Sequence, residues 1–369
     1  MNLFKSSKLL FWTLWSLAAV LTIYISTKIS FVFQPVFTLF STLFIPVLIA
    51  GFLFYLLNPF IKLLERIKVK RTYGIVIVML LAIGGTITFI VQIAPVLMGQ
   101  LTELIVNIPT IIANIEIQAD DLKRVPGLEK IDYEEVLMRL NLSLDTISNT
   151  ILSYITTSIS SIVSTLTGLA VVLITVPIIL FYLFHDGHKF KPAVASFFPA
   201  KYKDHAIELL GQMNAVVSGY ISGKGLASIV VGILVYIGIL FIGLPYSLLL
   251  AIINVATNMI PYIGPFIGAA PAFIIGLTIS PGKALLVALL IVVIQQIDAN
   301  FLTPKFVGKS LDIHPLTIIV VLLVAGKMAG IVGIIFGVPG FAIVKTIVIY
   351  IKKLIVEENK KIKQIGDNV

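Results

Sequence analysis

Three observations predict an all-α polytopic membrane protein. Of 369 residues, 58% are hydrophobic and only 12% charged, with a mean hydropathy of +1.07, whereas soluble domains lie nearer half apolar and a quarter charged. Apolar runs close to the roughly 20 residues that one helix needs to cross a bilayer recur along the whole chain. The basic residues behind the net charge of +9 flank those runs instead of forming a stripe, a pattern that orients helices in a membrane and argues against nucleic acid as a partner. The expected architecture has about eight transmembrane helices, a hairpin broken by proline and glycine, and an external amphipathic helical insert.

Residues 1–97 hold three spans, Leu9–Thr27, Phe31–Leu57 and Tyr73–Leu97. Between the second and third, Asn58–Thr72 carries Lys62, Arg66, Lys68, Lys70 and Arg71 against Glu65 alone, which makes it a cytoplasmic loop and puts the N-terminus in the cytoplasm. Residues 98–160 are the external insert, with nine acidic residues against four basic ones. Leu97, Leu101, Leu104, Ile108, Ile111 and Ile115 recur at helical spacing, as do Leu140, Leu144, Ile147, Ile151, Ile155 and Ile159. The ValProGly at Val125–Gly127 separates these two helices.

Residues 161–223 hold a fourth span that ends at a HisAspGlyHis turn, His185–His188, and an interfacial amphipathic helix, Tyr202–Tyr220, bounded by Lys189, Lys191, Lys201, Lys203 and Lys224. Residues 224–350 form the core, with helices at Gly225–Ile242, Lys283–Asn300, His314–Ala325 and Met328–Tyr350. The tail, 351–369, is basic and cytoplasmic, so both termini face the cytoplasm of a multi-pass protein of the cell membrane.

Several chemistries are excluded. With no cysteine there is no disulfide, iron–sulfur cluster or thiolate zinc site, and the chain has no HExxH, Walker or GxSxG motif. Neither an enzyme, a cofactor nor a self-powered ATP pump is expected. His185, Asp186 and His188 have too few further ligands nearby for a metal site.

The stretch Leu244–Ile279 is apolar but interrupted by Pro245, Pro261, Pro265, Pro271, Gly264, Gly268 and Gly276. Broken helix at membrane depth is tolerated only where protein or a water-filled cavity satisfies the freed backbone groups. The stretch either crosses twice or folds back as a re-entrant hairpin. Pro245, Gly264, Gly268, Pro271 and Phe273 align with Pro315, Gly333, Gly337, Pro339 and Phe341, and the charge pattern starts one unit outside and the other inside. That pattern reads as an inverted repeat of the kind that places a transporter's site at the repeat interface; the alternative is that these glycines and prolines mark close helix packing alone.

Asn254, Thr257 and Asn258 share one helix stripe leading to Pro261, where they can hydrogen-bond a polar solute or hold helices together. Gly264 and Gly268 let backbone approach a ligand or a second helix. Asp298 is an acidic side chain inside an apolar helix, costly at that depth and therefore a functional candidate, and Gln295 shares its face. The alternative for Asp298 is a wet end of the helix paired with Lys305 or Lys309. Lys305 and His314 are candidates for coupling and gating, His314 because imidazole is the side-chain type suited to a switch near neutral pH.

The motifs AsnMetIleProTyrIleGlyProPheIleGly at Asn258–Gly268, Gln295 with Asp298, LeuThrProLysPheValGly at Leu302–Gly308 and HisProLeu at His314–Leu316 resemble those of the autoinducer-2 exporter (AI-2E) family of membrane transporters. The resemblance implies a permease of about eight spans in a homo-oligomer, with fivefold symmetry among the options. It implies a small polar solute such as the furanosyl signal as substrate, or exchange of sodium or lithium for protons. The family usually has Glu where this chain has Asp298. Three functions follow: an ion-coupled exporter of a small polar solute, a sodium(lithium)/proton antiporter, or a non-transporting envelope assembly protein that docks through the external helices.

Overall fold

The computed structural model describes residues 8–28, 30–123, 172–308 and 313–366, all regular elements among them being helical. Helix α1 spans Lys8–Lys28, α2 Ser30–Arg66, α3 Arg71–Thr88 and α4 Ala94–Lys123. A helix over 172–195 is α5. Then follow α6 (Lys203–Ile242), α7 (Ser247–Asn258), α8 (Gly264–Ile279), α9 (Pro281–Ile297), α10 (Thr303–Phe306) and α11 (Pro315–Gly366). Five stretches among the described residues are long and apolar enough to span a membrane: Ser41–Arg66, Arg71–Ile111, Ala200–Ile242, Pro281–Phe306 and Pro315–Glu357.

Several boundaries differ from the sequence reading because a helix runs on past its expected end, the last helix among them, which reaches Gly366 and not Tyr350. Helix α2 continues to Arg66, leaving 67–70 as the connection to α3. Helix α3 passes through a single π turn, Phe89–Ile93, into α4, so the expected limit at Leu97 falls inside helix. His185–His188 is not a turn but part of α5, with Lys189 on Asp186 at 2.6 Å one helical turn away. The expected interfacial helix and fifth span are one 40-residue helix, α6. Val125–Gly127 and the second amphipathic helix of the insert lie outside the described residues.

Helix α6 is the spine. Its C-terminal half contributes Val231, Val235 and Ile239 to a core completed by Leu250 of α7, Ile275 of α8 and Val287 and Ile294 of α9. Its middle contributes Val217, Tyr220 and Ile221 to a second core with Val307 and with Ile318, Leu322 and Val338 of α11. A third core joins α2, α3 and α5 through Ile61, Ile75 and Phe184. Gly243 ends α6 in the left-handed region, φ 72°, where its N–H and that of Leu244 satisfy the last carbonyls.

The amphipathic stripe of α4 packs Leu97, Leu101 and Leu104 onto the first core. Gln100 Oε1 also accepts from Leu249 N at 3.0 Å, capping an N–H that the start of α7 leaves unpaired. Asn107 Nδ2 donates to Tyr246 Oη at 3.0 Å beside it. The insert therefore begins as a clamp on the broken segment.

That segment is a tight helical hairpin. Helices α7 and α8 have 12 and 16 residues, about 18 and 24 Å at 1.5 Å per residue, short of the roughly 30 Å hydrocarbon core. A methyl group at Gly264 would collide with the Thr257 carbonyl oxygen, and one at Gly268 would lie 2.5 Å from Thr257 Oγ1. Helix α11 breaks at Ala329 and Gly330 and packs its two arms alike: a methyl at Gly333 would collide with the Ala325 carbonyl, and one at Gly337 would lie 2.8 Å from Ala325 Cβ. The glycines aligned in the sequence thus have matching roles in two hairpins.

Gly264→Ala and Gly333→Ala are each expected to lower stability by about 1–3 kcal/mol, the usual cost of overpacking, whereas Gly99→Ala, which meets nothing within 4 Å, serves as the neutral control. Thermal unfolding in detergent measures all three.

Candidate functional site

The site grows from a proline. Pro304 has no N–H to donate and its ring crowds the carbonyl four residues earlier. The backbone answers with a π turn over Asp298–Leu302, in which Thr303 N reaches back five residues to the Asp298 carbonyl. Single π turns of this sort are frequent at functional sites. The same turn brings Thr303 Oγ1 onto Asp298 Oδ1 at 3.0 Å.

The other carboxylate oxygen, Oδ2, accepts from Lys224 Nζ at 3.3 Å. Both residues are buried, Lys224 at 8% and Asp298 at 4% exposure. Glycines on either side of the lysine permit this depth. A methyl at Gly223 would collide with the Phe306 carbonyl and approach Val307 Cα at 2.6 Å, and one at Gly225 would lie 2.6 Å from Leu56 Cδ1. Helix α6 thereby meets α10 backbone to backbone, and Lys224 is carried to Asp298. Two charges removed from water together are tolerable, but either one alone is strongly destabilising.

The pair forms part of the wall of a cavity of about 690 Å³. Tyr220, Gln295, the Pro261–Tyr262 turn and Pro265 of the hairpin line the same cavity. Tyr262 is held at φ 64°, unusual for a residue with a side chain and a form of local strain that clusters at ligand-binding positions. The Tyr220 hydroxyl and Gln295 Nε2 are buried without a hydrogen-bond partner.

Within the hairpin lies a second polar group. Asn254 and Asn258 are fully buried. Asn258 Nδ2 donates to Ser228 Oγ at 3.3 Å, but Asn258 Oδ1 and both amide atoms of Asn254 have no partner. Each such orphan costs about 1–3 kcal/mol. Neither asparagine lines the cavity above.

The positions singled out in the sequence thus fall into three places. Pro261, Gln295 and Asp298 meet at the cavity. Asn254, Thr257, Asn258, Gly264 and Gly268 form the packed interior of the hairpin. His314 and Lys305 lie elsewhere, both exposed. His314 starts α11, its Nδ1 accepting from Leu316 N at 3.3 Å and its carbonyl from Thr317 N. Lys305 lies over the Phe306 ring, 6.0 Å from its centroid. The ammonium beside Asp298 is that of Lys224, which the sequence reading had left at a cytoplasmic edge. Its signal was present: SerGlyLysGlyLeu, 222–226, sets one lysine between glycines within an otherwise apolar run, and an intramembrane charge is by default a functional hypothesis.

The family model for AI-2E family transporters matches residues 21–353. The chain belongs to this family. Among its relatives is YueF of Bacillus subtilis (strain 168), provisionally named a transport protein, 40% identical over 365 residues that cover 96% of this chain and 98% of YueF. YrrI of the same organism, named likewise, is 31% identical over 95% of this chain and 98% of its own length. PerM of Escherichia coli (strain K12), provisionally named a permease, is 29% identical over 84% of this chain and 87% of PerM. Membership and the apolar helices together make this AI-2E chain a membrane protein with a transport function.

In this AI-2E protein Gly223→Ala is expected to push α10 from α6, separate Lys224 from Asp298 and cost about 1–3 kcal/mol by overpacking, while Gly211→Ala, which meets only the tip of Lys191 at 3.6 Å, is expected to be silent. Thermal unfolding of the purified variants reads both.

Proposed function

We propose that the protein is a secondary transporter that exports a small polar solute across the cytoplasmic membrane, driven by an ion gradient, with both termini in the cytoplasm. The observation that carries this reading is the buried Lys224–Asp298 pair in the wall of the cavity beside the broken hairpin. At about 690 Å³ the cavity falls within the range usual for small-molecule sites. Its few polar groups, Tyr220, Gln295, Asp298 and Lys224, offer donors and acceptors to a hydroxylated solute such as the furanosyl signal for which the family is named.

The pair supplies a coupling device. While Lys224 neutralises Asp298 the site carries no net charge, and a cation or proton arriving at the carboxylate competes with the ammonium. Release of Lys224 changes which groups face the cavity, and the solute binds in one of the two arrangements. The same competition without a solute is cation/proton antiport, the second reading, which the ion pair equally favours.

Flux in proteoliposomes under imposed sodium and pH gradients tests this. Gradient-dependent export of a small hydroxylated solute is expected, and Asp298→Asn should leave flux that no longer responds to the gradient. If antiport is the function, Asp298→Asn abolishes exchange altogether. Folded protein that moves neither solute nor ion contradicts both readings.

A further inference from the structure

We infer that the cleft between α2, α5, α6 and α11 binds one anionic phospholipid, with its phosphate on Lys191 and an acyl chain along the cleft. In the orientation proposed above the lipid belongs to the cytoplasmic leaflet. The site stands apart from the Asp298 cavity and from whatever crosses there.

The cleft has a volume of about 410 Å³, within the range usual for sites that hold a small molecule. Its wall on α6 runs from Leu210 to Ile221, about 16 Å at 1.5 Å per residue. The two ends differ in chemistry. Toward Ile221 the wall is apolar, with Phe52 of α2 packed on the core of Val217 and Ile221 and edge-on to Phe336 of α11 at 6.1 Å. Toward Leu210 it carries Lys191, Asn214 and Tyr55.

That polar end presents donors. Tyr55 Oη gives its hydrogen to Asn214 Oδ1 at 3.1 Å, so the face of the amide that remains is its N–H side. A lysine near the end of an apolar helix ordinarily runs out to water. Lys191 instead lies along α6, its Nζ 3.6 Å from where a methyl on Gly211 would sit, one helical turn from Asn214. Among the described residues no carboxylate pairs with it, and Asp186, on the same helix, is held by Lys189 at 2.6 Å. An ammonium and an amide N–H at the mouth of an apolar slot select an anionic oxygen carried on a hydrocarbon chain. Basic pockets between membrane helices take anionic lipid headgroups for this reason.

The slot is kept open by glycines on three helices. Gly51 of α2, Gly187 of α5 and Gly340 of α11 all line it, and a methyl on any of them would meet nothing within 4 Å. They differ in this from Gly223, Gly225 and Gly264, where a methyl would collide with a neighbouring helix or turn. Glycine weakens a helix interior relative to alanine. With no close approach to require it at these positions, what the three glycines preserve is the volume itself.

The test is native mass spectrometry of the full-length protein, purified in detergent and titrated with phosphatidylglycerol or with phosphatidylcholine of the same acyl chains. One phosphatidylglycerol per chain is expected to bind more tightly than phosphatidylcholine. Lys191→Gln should weaken phosphatidylglycerol about fivefold, the worth of one lysine beside an anionic lipid, and leave phosphatidylcholine unchanged. Lys203→Gln, at an exposed position outside the cleft, should change neither. Gly51→Leu and Gly340→Leu fill the slot and should weaken both lipids, with unfolding temperature reporting that each variant is folded; Lys191→Gln decides the matter if a leucine variant is not. Equal binding of the two lipids by the parent would overturn the site. Equal losses in Lys191→Gln and Lys203→Gln would do so too, by showing diffuse surface charge at work. Leucine variants that keep their lipid but lose oligomer mass would make the cleft a contact between copies of the chain and would likewise overturn it.

Discussion

An ammonium and a carboxylate buried against each other impose the condition that the rest of the core meets. Either charge left alone at this depth would be strongly destabilising, so the two elements that carry them must be held in register. On the lysine side this is achieved by removing side chains, with Gly223 and Gly225 letting α6 touch the backbone at 306–307 and the side chain of Leu56. On the aspartate side it is achieved by Pro304, whose steric demand produces the π turn that aims Asp298 and supplies Thr303 as its second partner. The cavity is what remains where these elements cannot also fill the space under the hairpin's turn.

The two hairpins divide the labour. Both use glycine at the tip and one turn below it to bring helices into backbone contact, as close packing in lipid requires where no hydrophobic force separates helix from tail. Only the first buries amides. The second is apolar at the matching contacts and packs its Ile318, Leu322 and Val338 against the middle of α6. One hairpin is thus a packed support for the spine, and the other buries amides and brings a strained tyrosine to the cavity's wall.

Much of the fold was legible because the bilayer leaves few options: length and hydropathy define helices, and proline with glycine breaks them. The glycine register 264/268 with 333/337 was readable from spacing alone. Boundaries failed where polar residues continue a helix, as in α5 through His185–His188 and in α6 through Lys203–Lys224. That second error hid the lysine. A basic residue near an expected loop reads as a membrane-edge anchor, and only the long-range pairing across 74 residues identifies Lys224 as the partner of Asp298. The role given to Lys305 came from closeness in sequence to Asp298 and that given to His314 from imidazole chemistry; both side chains are exposed and neither lines the Asp298 cavity.

The most direct measurement is a double-mutant cycle on that pair. Lys224→Met and Asp298→Asn, alone and together, would be compared by reversible unfolding in mixed micelles. If the buried pair is the governing constraint, each single substitution costs about 3–5 kcal/mol and the double variant recovers most of the loss, because no uncompensated charge remains. Losses that simply add would show that the two groups do not depend on each other and would contradict the central claim.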